Sequence, residues 1–591
     1  MWVARACSIL LVAAVLVFSA AADGHFKLVV LHNNDMHARF EQTNGQSGRC
    51  AQKHLSTKTC FGGFARVAQV VKDVRKAEEN VIFLNAGDTY QGTSWYTVHK
   101  WRVVAAFLKM IGMDAMSLGN HEFDDGVDGL APLLENITIP VLAANVDVSR
   151  EPSLEKLRPS VILNVGGRKV GVIGYLTPET VDLVPSVGGV VFEDEVPAIR
   201  REVDRLRASG VNILIAVGHS GHSVDKKIAK EVDGLDLVVG GHSNTFLYTG
   251  RQPDSDIPAD LYPTMVEQAS GKKIPVVQAY AYTKYMGRMD LTFDKNGEIV
   301  GMEGKPILLD YNIEQDPDVL QELKPWAEKV ASLGQEKVGK TLVFLNGSQN
   351  SCRMRECNLG NFVSDAFISH YASTYSGSGW TDAPIAVQNG GGIRSSIEES
   401  KASEDGTKGG FVTMEDVLTV LPFQTGVVTL RLKGVDLLET LEESVKFYDL
   451  SGVEAPGRFL QFSGLKVTYD MSKPPGKRVK SVMVRCGQCR EPRYSPLDPN
   501  VIYGLVMSQY IADGGDGYHV LSQKGMNKTI LDTEESVMLA NYIKQKSPVF
   551  ADIEGRITLL NTETADNGVA SFHPTLPGAI IVFSIILFFI K

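Results

Sequence analysis

The sequence predicts an α/β protein of two layered domains joined by a helix, and three observations carry that prediction. At 591 residues the chain is too long for one hydrophobic core. Its first half alternates short apolar, β-rich runs with amphipathic stretches, the pattern of strands followed by covering helices. Near DPDVLQELKPWAEKVASLGQEKVGKT, residues 316 to 341, a charged helical stretch has no matching strand and divides the first series from a second.

The elements follow in order. FKLVVLHNND, NVIFLNAGD, DAMSLGN, IPVLAAN, KVGVIGYL, NILIAVGHS and DLVVGGH read as strands, each bounded by polar or glycine turns. FARVAQVVKDVRKAEEN and VPAIRREVDRLRASG, between them, space their apolar residues for helices. Past the connector, KTLVFLNG, GVVTLRLKG and GLKVTYD read as strands and NFVSDAFISHYA and VDLLETLEESVKFY as helices. The expected division is a first domain over 23–315, a connecting helix over 316–337 and a second domain over 338–560.

The two ends read as processing signals. Residues 1–22 combine Arg5, an apolar run from Ile9 to Phe18 and small residues from Ser19 to Ala22, the order of a secretory signal peptide. Residues 561–591 place small residues at Asn567, Gly568, Ala570 and Ser571, then a spacer, then an apolar tail from Gly578 to Ile590. That order signals a glycosylphosphatidylinositol (GPI) anchor, whose attachment removes the tail. The expected location is the outer face of the plasma membrane, held by a lipid anchor, with shedding or secretion as a further form.

Export suits the cysteines. Apart from Cys7 in the signal, six remain, and proximity pairs Cys50 with Cys60, Cys352 with Cys357, and Cys486 with Cys489. Sequons at Asn136, Asn346 and Asn527 suit a glycosylated ectodomain. A net charge of −10, without a basic run or an aromatic-basic platform, excludes nucleic acid as a partner.

Chemistry gathers where strands end, because ligands of α/β sheets collect at the carboxyl ends of strands. Five apolar runs end in metal-type residues: Asp35 and His37, Asp88, Asn120 and His121, His219, and His242. Asp35 and His37, two apart, share one side of an extended segment. Any one of these alone reads as a helix cap or surface loop; five in one half of a chain read as a metal site. Mixed nitrogen and oxygen donors suit zinc, manganese or iron rather than calcium, and their number suits two ions, with Asp88 as the candidate bridge. Two such ions activate water and clamp phosphoryl oxygens. In the second half, Arg353 inside the SCRMREC loop is a candidate anion clamp, and NGGGIR joins a glycine-rich loop to Arg394, a pattern that alone reads as a flexible loop.

The motifs DMH, GDTYQGT, GNHEFD, GHS and GGHSN, in this order, resemble the 5′-nucleotidase family of calcineurin-like metallophosphatases, over essentially the whole mature chain. The resemblance implies a layered β-sandwich flanked by helices for the first domain and an α/β nucleotide-binding second domain. It implies two zinc ions held by Asp35, His37, Asp88, Asn120, His219 and His242, and a dyad in which Asp124 orients His121 to stabilise the transition state or protonate the leaving group. Where many bacterial relatives carry a second histidine this chain has Asn244, which the resemblance leaves as a weak or outer ligand. Arg353, Asn389, Gly391 and Arg394 are implied to hold phosphate and sugar, Phe423 and Tyr510 to sandwich the base, and Asp516 to take a ribose hydroxyl. Tyr510 stands where close relatives have phenylalanine. Rotation about the connecting helix and a homodimer through the second domain are also implied. Glu122 and Asp125 receive no chemistry; Glu122 is expected to fix its loop by hydrogen bonds.

The expected activity is hydrolysis of nucleoside 5′-monophosphates, AMP foremost, to nucleoside and phosphate. An apyrase acting on ATP and ADP shares these motifs, and a catalytically silent nucleotide-binding surface protein is the alternative of another class.

Overall fold

A computed structural model describes residues 25–399, 410–452 and 454–562. The signal segment 1–22 and the anchor-site residues and apolar tail lie outside the described residues.

Two sheets form the first domain. One is ordered Ile299–Gly304, Tyr285–Phe293, β1 (Phe26–Asn33), β2 (Val81–Asn85), β3 (Ala115–Ser117) and Val141–Leu142, with the last four parallel. The other is ordered Thr264–Glu267, Lys273–Val277, β5 (Leu237–Val239), β4 (Ile213–His219), Arg168–Leu176 and Ser160–Val165; its four central strands are parallel.

Side-chain alternation explains why these strands read as unbroken apolar runs. Leu28 and Val30 of β1 face Ile215 and Val217 of β4 across the core between the sheets. Val29 and Leu31 face the other way, into a core shared with the helices Phe64–Ala77, Trp101–Ile111 and Gly126–Asn136. Leu214 and Ala216 pack under Glu195–Ala208 and His222–Glu231. Strands buried on both faces are apolar throughout, and the result is a helix–sheet–sheet–helix sandwich.

The helix α1 (Pro317–Gln335) follows. Asp316 caps it, its carboxylate accepting from the N–H of Asp318 and Val319 at 3.0 Å each and contacting Lys72. Val319, Leu323 and Val330, with Trp326 against them, join the first domain's core. The connector is therefore also a wall of the domain it leaves.

In the second domain a five-stranded mixed sheet runs Leu460–Ser463, Ile385–Asn389, Ile502–Ser508, Gly426–Lys433 and Met526–Glu534. A separate four-stranded sheet, Tyr494–Pro496, Val479–Arg485, Leu465–Asp470 and Ile557–Leu560, shares an apolar core with it. KTLVFLNG departs from its sequence expectation. The strand Lys337–Thr341 begins inside the expected connector and stops within that motif, where the Thr341 hydroxyl donates to the Val343 carbonyl at 2.7 Å and turns the chain. Similarly, IPVLAAN supplies only a two-residue strand, Val141–Leu142. Disulfides join Cys50–Cys60, Cys352–Cys357 and Cys486–Cys489. Asn136 and Asn527 are exposed, whereas the Asn346 amide is engaged with Ser351 at 2.9 Å. Among the described residues no helix is long and apolar enough to cross a membrane.

Replacing Asp316 with alanine removes the cap of α1. A loss of about 1–2 kcal/mol is expected, and calorimetry should show Tm lower by about 2–4 °C per kcal/mol; an unchanged Tm contradicts the assigned role.

Candidate metal centre and nucleotide cleft

Five neighbouring strand ends converge at one edge of the sandwich. β1 delivers Asp35 and His37, β2 Asp88, and β3 Asn120 and His121; from the second sheet β4 ends in His219 and β5 leads to His242. Backbone conformation sets these residues apart: Asp35, His37, Asp88 and His242 have φ of +48°, +47°, +55° and +76°. Side-chain-bearing residues rarely adopt this region, and surrounding structure must hold them there.

Two contacts show how it does. A Cβ on Gly119 would sit 2.1 Å from Asp88 Oδ1 and 2.3 Å from its amide nitrogen, so only glycine lets β3 pass so close. Glu122, fully buried, accepts from the N–H groups of Asp88, Thr89, Tyr90 and Gly119 at 2.6–3.1 Å. It grips the turn that presents Asp88, the loop-fixing job the sequence suggested. Burial and nearby Asp88 push its carboxyl up to about 7, opposed by those N–H groups. Asp125 belongs to neither donor group and is bonded to Tyr96 and Lys100 at 2.8 and 3.0 Å.

Asp88 belongs to two donor groups at once. His37, Asp88 and His121 offer atoms within 4.8 Å of one another, and so do Asp35, Asp88 and His219. His219 Nε2 lies 3.0 Å from Asp88 Oδ2 and 3.9 Å from Asp35 Oδ1, while its Nδ1 is fixed to the Ala86 carbonyl at 2.6 Å. His242 Nδ1 is 3.0 Å from Asn120 Oδ1, and its amide donates to Asp35 Oδ2 at 2.9 Å. His121 Nδ1 meets Asp124 Oδ2 at 2.8 Å, leaving Nε2 to face Asp88 at 3.9 Å.

Electrostatics mark the cluster as a place for positive charge. Burial alone would lower the His219 imidazole, yet Asp88 and Asp35 raise it to about 10. Asp88 is likewise opposed by burial, but His219, His121 and His37 hold it well below the carboxylate range. Burial lifts Asp35 to about 6 and lowers His242 to about 3. Asp35 Oδ1 and Asn244 Oδ1 are buried without a hydrogen-bond partner among the described residues. A mixed set of carboxylate, imidazole and amide donors around such orphaned atoms fits divalent transition-metal ions.

Above the cluster opens a cavity of about 730 Å³ between the two domains. His37, Asp88, Asn120, His121, Asp124, His242 and Asn244 line one wall; Arg353, Asn389, Gly391, Arg394, Phe423, Tyr510 and Asp516 line the other. Asp35 and His219 lie outside that lining, fully buried. The domains touch here: Arg394 reaches His37 Nε2 at 2.9 Å, and the Phe423 ring lies 5.7 Å from that of His121.

The 5′-nucleotidase C-terminal domain family matches residues 337–523 and the calcineurin-like phosphoesterase family residues 28–246. A 5′-nucleotidase from Homo sapiens is 41% identical over 94% of both chains. The chain belongs to the 5′-nucleotidase family. A snake venom 5′-nucleotidase from Naja atra is 41% identical over 90% of this chain and 99% of its own. The crystal structure of a 5′-nucleotidase precursor from Thermus thermophilus superposes with a TM-score of 0.82 at 35% identity, covering 91% of this chain and 100% of that one. The protein is thus a 5′-nucleotidase family hydrolase whose calcineurin-like domain implies divalent metal ions, with the two-domain architecture expected from its motifs.

Several supporting residues escaped the sequence reading. Asn34 donates to Asp35 Oδ2 at 2.7 Å, and its place beside Asp35 in NND was the available signal. Asp182, in the short helix Thr180–Leu183, and Glu454 line the cavity without belonging to any motif. Glu454 accepts from Ser223 N–H at 2.8 Å, across the domain boundary.

Glu122→Gln removes the charge from the acceptor of four N–H groups and turns an amide donor toward them. Metal affinity, read by chelator competition, should fall about 10- to 100-fold with the fold intact; unchanged affinity contradicts the role given to Glu122.

Proposed function

We propose that the protein hydrolyses nucleoside 5′-monophosphates, AMP foremost, outside the cell, using two divalent ions with zinc first among the candidates. The carrying observation is one cavity that has the donor cluster on one wall and two arginines and two aromatic rings on the other. Asp35, His37, Asp88, Asn120, His219 and His242 would hold the ions, with Asp88 common to both donor groups and Asn244 nearby. Bound there, such ions supply Lewis acidity and an activated water for in-line displacement.

The chain's own groups do the rest. Arg353 and Arg394 converge on the cavity, where planar guanidinium groups match phosphate oxygens. Phe423 and Tyr510 stack on the base, a contact worth about 1–3 kcal/mol. Asn389 and Asp516, hydrogen-bonded at 2.7 Å, face the sugar. His121 is oriented through Nδ1 by Asp124, so Nε2 can deliver a proton to the departing 5′ oxygen. Closure of the domains keeps bulk water from this chemistry.

Three disulfides and the likeness to a venom protein support an extracellular place. The lipid anchor rests on the order of small residues, spacer and apolar tail from Asn567 onward.

Purified ectodomain should release phosphate from AMP faster than from ADP or ATP, and a chelator should abolish release. Faster release from ADP favours the apyrase, and no release from any of the three contradicts hydrolysis. His121→Ala should lower kcat about 10²–10⁴-fold at unchanged metal content; a kcat within about threefold of the parent removes His121 from the chemistry.

A further inference from the structure

Tyr510 carries a hydroxyl that base stacking does not need, and its surroundings give that group a job. The residue follows the strand Ile502–Ser508 in the short helix Gln509–Ala512. Its ring presses on the next loop so closely that a Cβ on Gly515 would fall 2.4 Å from a ring carbon. The following residue, Asp516, is buried and adopts φ +55°.

Three hydrogen bonds hold this unit, and one longer contact ties it to the first domain. The Tyr510 hydroxyl donates to Asp516 Oδ1 at 2.9 Å and accepts from the Asp516 N–H at 3.0 Å. Asn389 Nδ2 donates to Asp516 Oδ2 at 2.7 Å. The same hydroxyl lies 3.4 Å from the Asp182 carbonyl of the first domain. Both carboxylate oxygens are therefore aimed, one by Tyr510 and one by Asn389, and the strained backbone of Asp516 is pinned through its own N–H.

We propose that Tyr510 is a positioning residue for the nucleoside diol, its hydroxyl fixing the Asp516 carboxylate toward the sugar while its ring stacks on the base. Burial and Asp516 hold the phenol well above its usual pKa, so it remains a donor at physiological pH. A phenylalanine would keep the ring and release both Oδ1 and the N–H of Asp516. Sugar recognition and base stacking are thereby joined in one side chain. The proposal rests on the reading that this domain holds a nucleoside, but not on hydrolysis, so its test is a binding measurement.

The test compares adenosine with 2′,3′-dideoxyadenosine by calorimetry on the full-length ectodomain, as wild type, Tyr510→Phe, Asp516→Asn and the double variant, each checked by thermal unfolding. Wild type should bind adenosine more tightly than the dideoxy nucleoside. Tyr510→Phe should weaken adenosine about 10-fold, the scale of one hydrogen bond to a charged group. It should change the dideoxy nucleoside by less than about twofold, and have no further effect once Asp516→Asn is present. Equal weakening of both nucleosides, a full Tyr510→Phe effect in the Asp516→Asn background, or a wild type that binds neither or both equally would overturn the proposal. Failure of the hydrolytic reading shows separately, as a wild type that binds adenosine through its diol yet releases no phosphate from AMP.

Discussion

One carboxylate constrains the rest of the molecule. Asp88 sits at the tip of β2 in a backbone conformation that side chains resist, and it is the residue common to both donor groups. Keeping it there requires a bare backbone on the neighbouring strand end, supplied by Gly119, and an anchor for three consecutive N–H groups, supplied by Glu122. The order of parallel strands follows from the same need. β1, β2 and β3 lie side by side, so their carboxyl ends deliver Asp35, Asp88 and Asn120 to one edge, and the second sheet closes the cluster with His219 and His242. Strain of this kind persists only where the surroundings over-determine it.

The second domain completes the cleft. Its arginines, rings and Asp516 line a wall that, among the described residues, has no metal-donor group of its own. On the proposed reading each half alone is inert, and closure both assembles the site and excludes water. Three of the contacts between the domains, Arg394 to His37, Tyr510 to Asp182 and Glu454 to Ser223, join residues that line the cavity, while others such as His54 to Glu398 lie away from it. On the proposed reading, substrate recognition and part of the domain placement draw on the same residues.

Much of the first domain was legible because its signals are local. Strands buried on both faces announce themselves as apolar runs, and glycines before Asp88, Asn120, His219 and His242 mark the turns that expose those residues. Cysteine pairs three, five and ten residues apart needed no fold to pair. Illegible features depend on contacts distant in sequence. Arg394 and His37 are 357 positions apart, and Tyr510 and Asp182 are 328 apart, so no window shows them together. KTLVFLNG failed for another reason: a threonine hydroxyl captured a main-chain carbonyl and ended a strand that its apolar residues would have continued. The pairing of His121 with Asp124 and the roles of Asn389, Gly391, Phe423, Tyr510 and Asp516 rest on the family likeness, since a ring or a glycine loop far along the chain says little alone.

On the proposed reading, Asp88 would join two metal positions beneath a nucleotide that spans both domains. Anomalous diffraction from crystals grown with zinc and a non-hydrolysable AMP analogue tests this directly. Two metal peaks about 3.5–4 Å apart are predicted, one Asp88 oxygen on each, with the base between Phe423 and Tyr510. A single peak, or two peaks of which only one touches Asp88, would contradict it.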